Sequence, residues 1–491
     1  MDRERRKLLW FGAAPLPATT HEFAARRLVW AEGDPARLPH DAEQACGAVL
    51  DFGPAVDDAL LAFAVRDIAR LVDHGLRVDI VAGGDAAMGR VQPALARFAG
   101  LPGVFFHTSP ELHRLAEAIA RHDAGPVPRL DLEIAVEGGR EELRKNDEIL
   151  FQRAFAHCRE IRLVQLAGGR SDARVFAVHM VVEGSNAGVW PQPAFAKLDR
   201  RDKIEREYAN YRDYAARFIP FLMRPNIEAL VCGSDRSLLV GNFVDHSESL
   251  RALAERGLAG PAITALFKEA LAGWSNQAFA GEPLTGSIAE AMRSAGIWDP
   301  ERIADEYVER AAEHGVLQTP ADLHAALKGL DQRYRIAPVH GDLHGENVRV
   351  RGSHAILIDL ASVCRAPGCT DLAALETWFA FELASGDDPE RYQDDEWKAV
   401  VDRLYAPAAF IDAVAPCRPT DARAWMATAV KHIRELARAT PCCPGEYQTA
   451  VAVQLLRRCQ WNDGPPGDRA RRAHGYRLAA ALVADLGGEK S

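Results

Sequence analysis

His340-Gly341-Asp342-Leu343-His344-Gly345-Glu346-Asn347, followed by Ala355-Ile356-Leu357-Ile358-Asp359, decides how this chain is read. An aspartate is followed five residues later by an asparagine, and twelve residues beyond that a second aspartate closes an apolar run. An isolated His-Gly-Asp is a common turn; the ordered set is not. Magnesium is a hard ion that takes oxygen ligands, usually one or two from side chains and the rest from phosphates and water. Asn347 and Asp359 are therefore candidate metal ligands. Asp342 is the candidate base that orients an attacking hydroxyl and accepts its proton, the division of labour needed for phosphoryl transfer from a magnesium nucleotide.

The pattern H-G-D-x-H-x-x-N with the later Ile-Asp resembles the aminoglycoside phosphotransferase and choline kinase branch of the protein-kinase-like folds. Eukaryotic protein kinases carry Arg where Gly341 stands. The resemblance spans about residues 160–385, and the helical tail is expected to complete the same lobe. It implies an α+β, two-lobed protein-kinase-like fold, with a small β-rich lobe at 159–246 and a large helical lobe at 247–491. It also implies catalytic roles for Asp342 and His344, magnesium at Asn347 and Asp359, and ATP as donor. A small-molecule hydroxyl is the implied acceptor. One departure stands out: Leu360-Ala361 follows Asp359 where the family has an aromatic, which bears on the packing behind the metal site.

Upstream, the chain offers the other parts a nucleotide kinase needs, in the required order. Residues 161–166 and 174–180 read as two strands around Ala167-Gly168-Gly169-Arg170-Ser171-Asp172. Glycines let backbone amides approach phosphate oxygens closely, so Gly168, Gly169 and Ser171 are candidate nucleotide-binding residues; by itself, Gly-Gly between strands is more often an ordinary hairpin. Residues 193–199 place a single lysine, Lys197, in an otherwise apolar strand. Burying that ammonium is costly unless an anion meets it. The helix that begins near Asp202 carries Glu205 and Glu207. Glu207 lies nearer the apolar side and is the expected partner, with Glu205 in reserve. Residues 237–245 read as the last strand of the small lobe.

The chain of 491 residues is long enough for two or more domains, and 48% hydrophobic residues suffice for real cores. A formal net charge of -10 argues against a general nucleic-acid binder. Nine scattered cysteines form no C-x-x-C pair and no zinc spacing; they fit a reducing compartment. No segment reads as a membrane span, and a cytoplasmic protein is expected.

The first 128 residues alternate strands (7–13, 28–32, 47–52, 77–82, 103–107) with helices (20–27, 56–74, 86–98, 110–122). Such alternation predicts an α/β, flavodoxin-like parallel sheet. The layout resembles a receiver domain with Asp51 at the phosphoacceptor position. The acidic pair after the first strand, the Ser or Thr after the fourth and the Lys after the fifth are absent, so a pseudo-receiver, or another small α/β module, used for contacts with a protein partner is expected. Asp51-Phe52-Gly53 also spells a kinase metal motif, but it precedes every other kinase element and cannot serve as one. Residues 129–158 read as a linker with a strand and a helix.

From 249 to 330 the pattern is helical, and the stretch 274–286 with Trp298-Asp299-Pro300 falls where related small-molecule kinases build acceptor pockets. Asp371 caps the helix that follows or braces the catalytic loop. Asp387-Asp388 and Asp394-Asp395-Glu396 would draw a cationic acceptor unless they are simply exposed helix starts and turns. Residues 420–438 and 447–485 read as further amphipathic helices. The leading reading is a magnesium- and ATP-dependent phosphotransferase. A nucleotide-binding sensor or scaffold in a bacterial signalling assembly, and a protein kinase, remain the alternatives.

Overall fold

Alternate residues of the first strand face opposite ways, and both faces are apolar. In β1 (Lys7–Gly12), Leu8 and Trp10 are buried with Phe23, Leu115 and Ile119, whereas Leu9 and Phe11 are buried with Phe63, Ile68 and Val91. A strand buried on both sides belongs in a parallel sheet covered by helices, and the structure has that arrangement. The computed structural model describes residues 7–34, 45–122, 125–138, 142–166, 173–184, 188–391, 394–411, 423–439 and 444–488. It divides into two compact units, residues 1–208 with 226–245, and residues 209–225 with 246–491.

In the first unit, β1, β2 (Val29–Glu32), β3 (Ala45–Asp51), β4 (Arg77–Ala82) and β5 (Val104–Thr108) form an all-parallel sheet of order β2-β1-β3-β4-β5. This is a doubly wound order with its switch point between β1 and β3. The covering helices are α1 (Pro17–Ala25), α2 (Asp58–Asp73), α3 (Asp85–Ala94) and α4 (Leu112–Arg121). Gly12 closes β1 at φ +114°, and a Cβ there would stand 2.1 Å from the Asp51 carbonyl oxygen. Only glycine permits that approach.

The same unit holds a second sheet, of order β10-β11-β9-β8-β7-β6. Its strands are β6 (Glu133–Glu137), β7 (Cys158–Gln165), β8 (Arg174–Val182), β9 (Ala194–Arg200), β10 (Ile227–Cys232) and β11 (Arg236–Asn242). Residues 129–158 hold the expected strand and helix. β6 is the edge strand of this sheet, parallel to β7, and α5 (Lys145–Ala154) makes the crossover between them. A parallel pair requires such a crossover. α5 adds Leu150 and Phe151 to the core beneath Ile161, Phe176, Leu198 and Leu238. After β9 comes α6 (Arg201–Asn210). Sequence reading did not anticipate β10, which pairs with β11.

Arg153 of α5 joins the two sheets of this unit. It donates to the Asp73 carbonyl at 2.9 Å, the Cys232 carbonyl at 2.8 Å and the Pro126 carbonyl at 3.3 Å. The Asp73 carboxylate in turn accepts the Ser234 backbone N–H at 2.7 Å.

The second unit is mainly helical, with short strands β12 (Glu248–Ser249), β13 (Leu284–Gly286), β14 (Gln332–Tyr334), β15 (Ile336–Val339), β16 (Val348–Arg351), β17 (His354–Leu357) and β18 (Cys364–Pro367). The tail expected as one helical region over 447–485 is two helices, Pro444–Arg458 and Pro466–Gly488. Gly464 at φ +99° and Pro465 interrupt them, since neither continues a helix readily. A buried polar cluster fixes three helices together. Glu376 accepts from Arg434 at 2.7 Å and from the Tyr447 hydroxyl at 2.7 Å, and Arg434 lies over the Phe410 ring. Among the described residues no helix is long and apolar enough to cross a membrane.

Candidate active site

Lys197 sits on β9 between Ala196 and Leu198, both fully buried. Its register neighbours are Val175 of β8 and Leu239 of β11. In that apolar setting the ammonium meets the Glu207 carboxylate of α6 at 2.8 Å, the two side chains being 12% and 9% exposed. Glu205 instead lies toward Arg201, at 3.9 Å. The geometry therefore selects Glu207 over Glu205 as the ion-pair partner. The other expected nucleotide-binding residues, Gly168, Gly169 and Ser171, lie outside the described residues; the strands on either side, β7 and β8, pair up to Gln165 and Phe176.

In the second unit, residues 340–347 connect β15 to β16, and the β16–β17 hairpin turns at Gly352 to deliver Asp359. Hydrogen bonds fix this loop from several sides. The buried Asp371 carboxylate accepts the backbone N–H of His340 at 2.7 Å and of Gly341 at 3.2 Å. Asp371 therefore braces the loop rather than capping its own helix, whose N-cap position is Cys369. Burial pushes the Asp371 carboxyl above the usual carboxylate range, partly offset by His340 and the two backbone N–H groups. His340 bridges the loop to the strand end: its Nδ1 accepts the Asp342 N–H at 3.3 Å, and its Nε2 faces the Ile358 carbonyl at 2.9 Å. Gly341 has φ +77°, and a Cβ there would stand 2.3 Å from the Ser362 carbonyl oxygen.

Asn347 ties the candidate residues to one another. Its Nδ2 donates to the Asp342 carbonyl at 3.0 Å, and its own carbonyl accepts the Ile358 N–H at 2.9 Å. Asp359 follows in a left-handed conformation, φ 57° and ψ 73°, which is uncommon for a residue with a side chain and is held only by its surroundings. Asn210 donates to the carbonyls of Leu360 and Ala361 at 2.9 and 3.3 Å. This polar clamp stands where the resemblance led one to expect an aromatic.

With Nδ2 engaged, Asn347 presents Oδ1, and Asp359 presents a carboxylate. Two hard oxygen donors match the usual protein share of a magnesium site whose other ligands are phosphates and water. Among the described residues there is no group of three or more His, Cys, Asp or Glu that could hold a metal unaided. The donor set thus fits a nucleotide-borne magnesium and not an all-protein cage.

His344 stacks on Trp378 with centroids 5.6 Å apart and planes at 22°. Burial lowers its pKa below the ordinary imidazole value, against the opposing pull of Asp342. A neutral ring packed in this way forms a wall of the loop. Its Nδ1 accepts the Glu346 N–H at 3.3 Å.

One residue of this site was missed from sequence. Arg457, at the end of the helix Pro444–Arg458, places Nη2 3.0 Å from Asp342 Oδ1. The two are 115 positions apart, and no local pattern announces the pairing. The acidic clusters and the tryptophans named for the acceptor side can also be placed. Asp387 and Asp394, around a cavity of about 180 Å³, are both bonded to Arg423 and Arg471 at 2.7–3.3 Å. Despite burial, the arginines and nearby backbone N–H groups hold both carboxyls below their usual range, so the pair is not a free anionic surface. Trp274 and Trp298 are core residues, each 2% exposed, with indole N–H groups bonded to the carbonyls of Tyr214 and Ala289.

No protein-family model matches the chain, and no curated protein matches it in sequence. Among solved structures it is similar to a thermostable mutant of an aminoglycoside phosphotransferase (14% identity, 66% of this chain and 94% of that one, TM-score 0.38). It is also similar to a glucosamine kinase crystallised with glucosamine, ADP and inorganic phosphate (15%, 71% and 87%, 0.39). A choline kinase from Cryptosporidium parvum Iowa II is a third (11%, 66% and 90%, 0.35).

Proposed function

We propose that this chain is a magnesium- and ATP-dependent phosphotransferase of two-lobed, kinase-like architecture that delivers a phosphoryl group to the hydroxyl of a small molecule. Asp342 orients that hydroxyl and takes its proton. Asn347 and Asp359 hold the magnesium, which neutralises phosphate charge when bound. Lys197, fixed by Glu207, holds the nucleotide's inner phosphates. Little covalent chemistry falls to the protein in such a transfer, so positioning and charge supply the acceleration.

The observation that carries this reading is the double tie made by Asn347, whose side chain holds the Asp342 carbonyl while its backbone holds Ile358, next to Asp359. A merely structural turn has no need to bind base and metal-ligand positions together through the residue between them. Turnover of Mg·ATP, with and without a panel of small alcohols and amino sugars, tests it. Asp342→Ala is expected to abolish phosphoryl transfer while nucleotide affinity stays near wild type. Tight nucleotide binding by the wild-type chain without turnover would favour the sensor reading, which draws on the pinned parallel-sheet region of the first unit.

A further inference from the structure

The last turns of the helix Pro444–Arg458 carry more hydrogen-bond donors than the protein itself uses. Arg457 gives Nη2 to Asp342 and Nη1, at 3.4 Å, to Gln454 Oε1; Arg458 gives Nη2 to Glu382 at 2.9 Å. Three further donors on this face are buried: Gln454 Nε2, Arg457 Nε and Arg458 Nε. None of them finds an acceptor among the described residues. Gln454 as a whole is only 2% exposed. Positions 454, 457 and 458 are i, i+3 and i+4, hence neighbours on one helix face. Buried donors without acceptors are rare in folded proteins, and two of them on the hydrogen-bonded pair Gln454 and Arg457 point to a ligand that brings oxygens. Asp342, half-exposed at 50%, leaves that ligand a path, while Arg457 is 15% exposed.

We propose that Gln454 and Arg457 form an oxyanion-binding element beside Asp342, which receives the oxygens of a phosphoryl group in transit. The inference rests on the phosphotransferase reading and deepens it by adding a positive partner on the acceptor side. In the transfer, the bond from the terminal phosphorus to the bridging oxygen breaks, and its electron pair leaves on the diphosphate. The acceptor oxygen forms the new bond to phosphorus, and its proton passes to Asp342. Negative charge on the three phosphoryl oxygens faces the guanidinium and the amide N–H of this helix end. A planar guanidinium with five donors suits that task, because it can keep one N–H on Asp342 while offering others. An acidic group on the acceptor itself would satisfy the same donors, so the shared chemistry is an oxyanion next to Asp342.

Calorimetric titration of the full chain separates the cases. Mg·ADP is added first, then orthovanadate as a mimic of the group in transit. Wild type is expected to bind vanadate on top of Mg·ADP. Arg457→Ala should bind it at least about tenfold more weakly with Mg·ADP affinity unchanged, Arg457→Lys should fall between, and Gln454→Leu should weaken it as well. A parallel titration of inorganic phosphate into protein loaded with a non-hydrolysable ATP analogue reports an acceptor-borne acid; binding there that Arg457→Ala removes supports the element with that second source. Equal vanadate and phosphate binding by wild type and Arg457→Ala, with matching thermal melts, overturns the proposal. Failure of wild type to bind Mg·ADP at all overturns the phosphotransferase reading, and this inference with it.

Discussion

A lysine inside a sheet is tolerated when one carboxylate meets it at close range, and Lys197 and Glu207 satisfy that condition at 2.8 Å with both side chains mostly buried. Glu207→Gln keeps the shape and removes the charge, so Lys197 loses the force that aims it. We expect kcat/KM for Mg·ATP to fall by about ten- to a hundredfold, whereas Glu205→Gln changes it by less than about twofold; steady-state nucleotide turnover of the two variants decides. Asp371 acts on the loop without touching the reaction. Its carboxylate satisfies two buried backbone N–H groups, so Asp371→Ala is expected to cost about 2–4 kcal/mol. Urea unfolding should show that loss as a lower midpoint at unchanged slope, accompanied by reduced turnover. At this scale the sequence was informative wherever partners are close along the chain. Asp342, Asn347 and Asp359 lie within one loop and one hairpin, and their spacing alone announces them. Lys197 and Glu207 are also near neighbours, and the apolar side of α6 distinguished Glu207 from Glu205. Arg457 has no such local signature, because only tertiary packing brings it to Asp342.

Elements followed the same logic. Strands β1 to β5 were legible because each is a short apolar run between turn residues, and all five lie within two residues of their expected bounds. β6 was seen as a strand without its place at the sheet edge, since sequence gives a strand's presence and not its pairing. β10 reads Ile-Glu-Ala-Leu-Val-Cys with mixed burial at the sheet's edge, and an edge strand has the weakest alternation. The final helix, Pro466–Gly488, carries a titratable group with a consequence for stability. His474 donates to Asp402 at 2.8 Å and meets the edge of Trp397, with Arg477 and Lys398 also near. Burial lowers its pKa to about 4, only partly countered by Asp402. The ring is therefore neutral in the folded chain at pH values where the unfolded chain, titrating near 6.5, already binds a proton. This contribution to stability is complete above about pH 6.5 and is lost as pH falls toward about 4. His474→Gln retains a donor for Asp402 and cannot titrate. Its stability should therefore drop less than that of wild type between pH 6.5 and 4, by a difference of about 3 kcal/mol. Chemical unfolding at a series of pH values reads the difference directly, and parallel curves for the two proteins would exclude it.

At the scale of the whole molecule, the sequence divided the first 246 residues into an α/β domain, a linker strand and helix, and a small lobe. The five-stranded parallel sheet and the six-stranded sheet fall in one compact unit. Arg153 holds the Asp73 carbonyl from one and the Cys232 carbonyl from the other, and Asp73 accepts the Ser234 N–H. Gly233 lies so close that a Cβ would stand 2.9 Å from the Asp73 carboxylate. β11, which begins just beyond this contact at Arg236, pairs directly with the Lys197 strand. Through these contacts the parallel-sheet region buttresses the hairpin that supports Lys197. A chain beginning at Gly125 leaves Ser234 N–H without the Asp73 carboxylate and removes one of Arg153's carbonyl partners. Arg153→Ala in the full chain isolates the side chain's own contribution, which for a buried cation bonded to several carbonyls we place at about 2–4 kcal/mol. The shortened chain should be less stable still, because it loses the Arg153–Asp73 and Asp73–Ser234 hydrogen bonds together. Differential scanning calorimetry of the three proteins provides the test. A shortened chain that melts with the same enthalpy per residue and at the same temperature as the full protein would show that the first 124 residues fold as a separate domain.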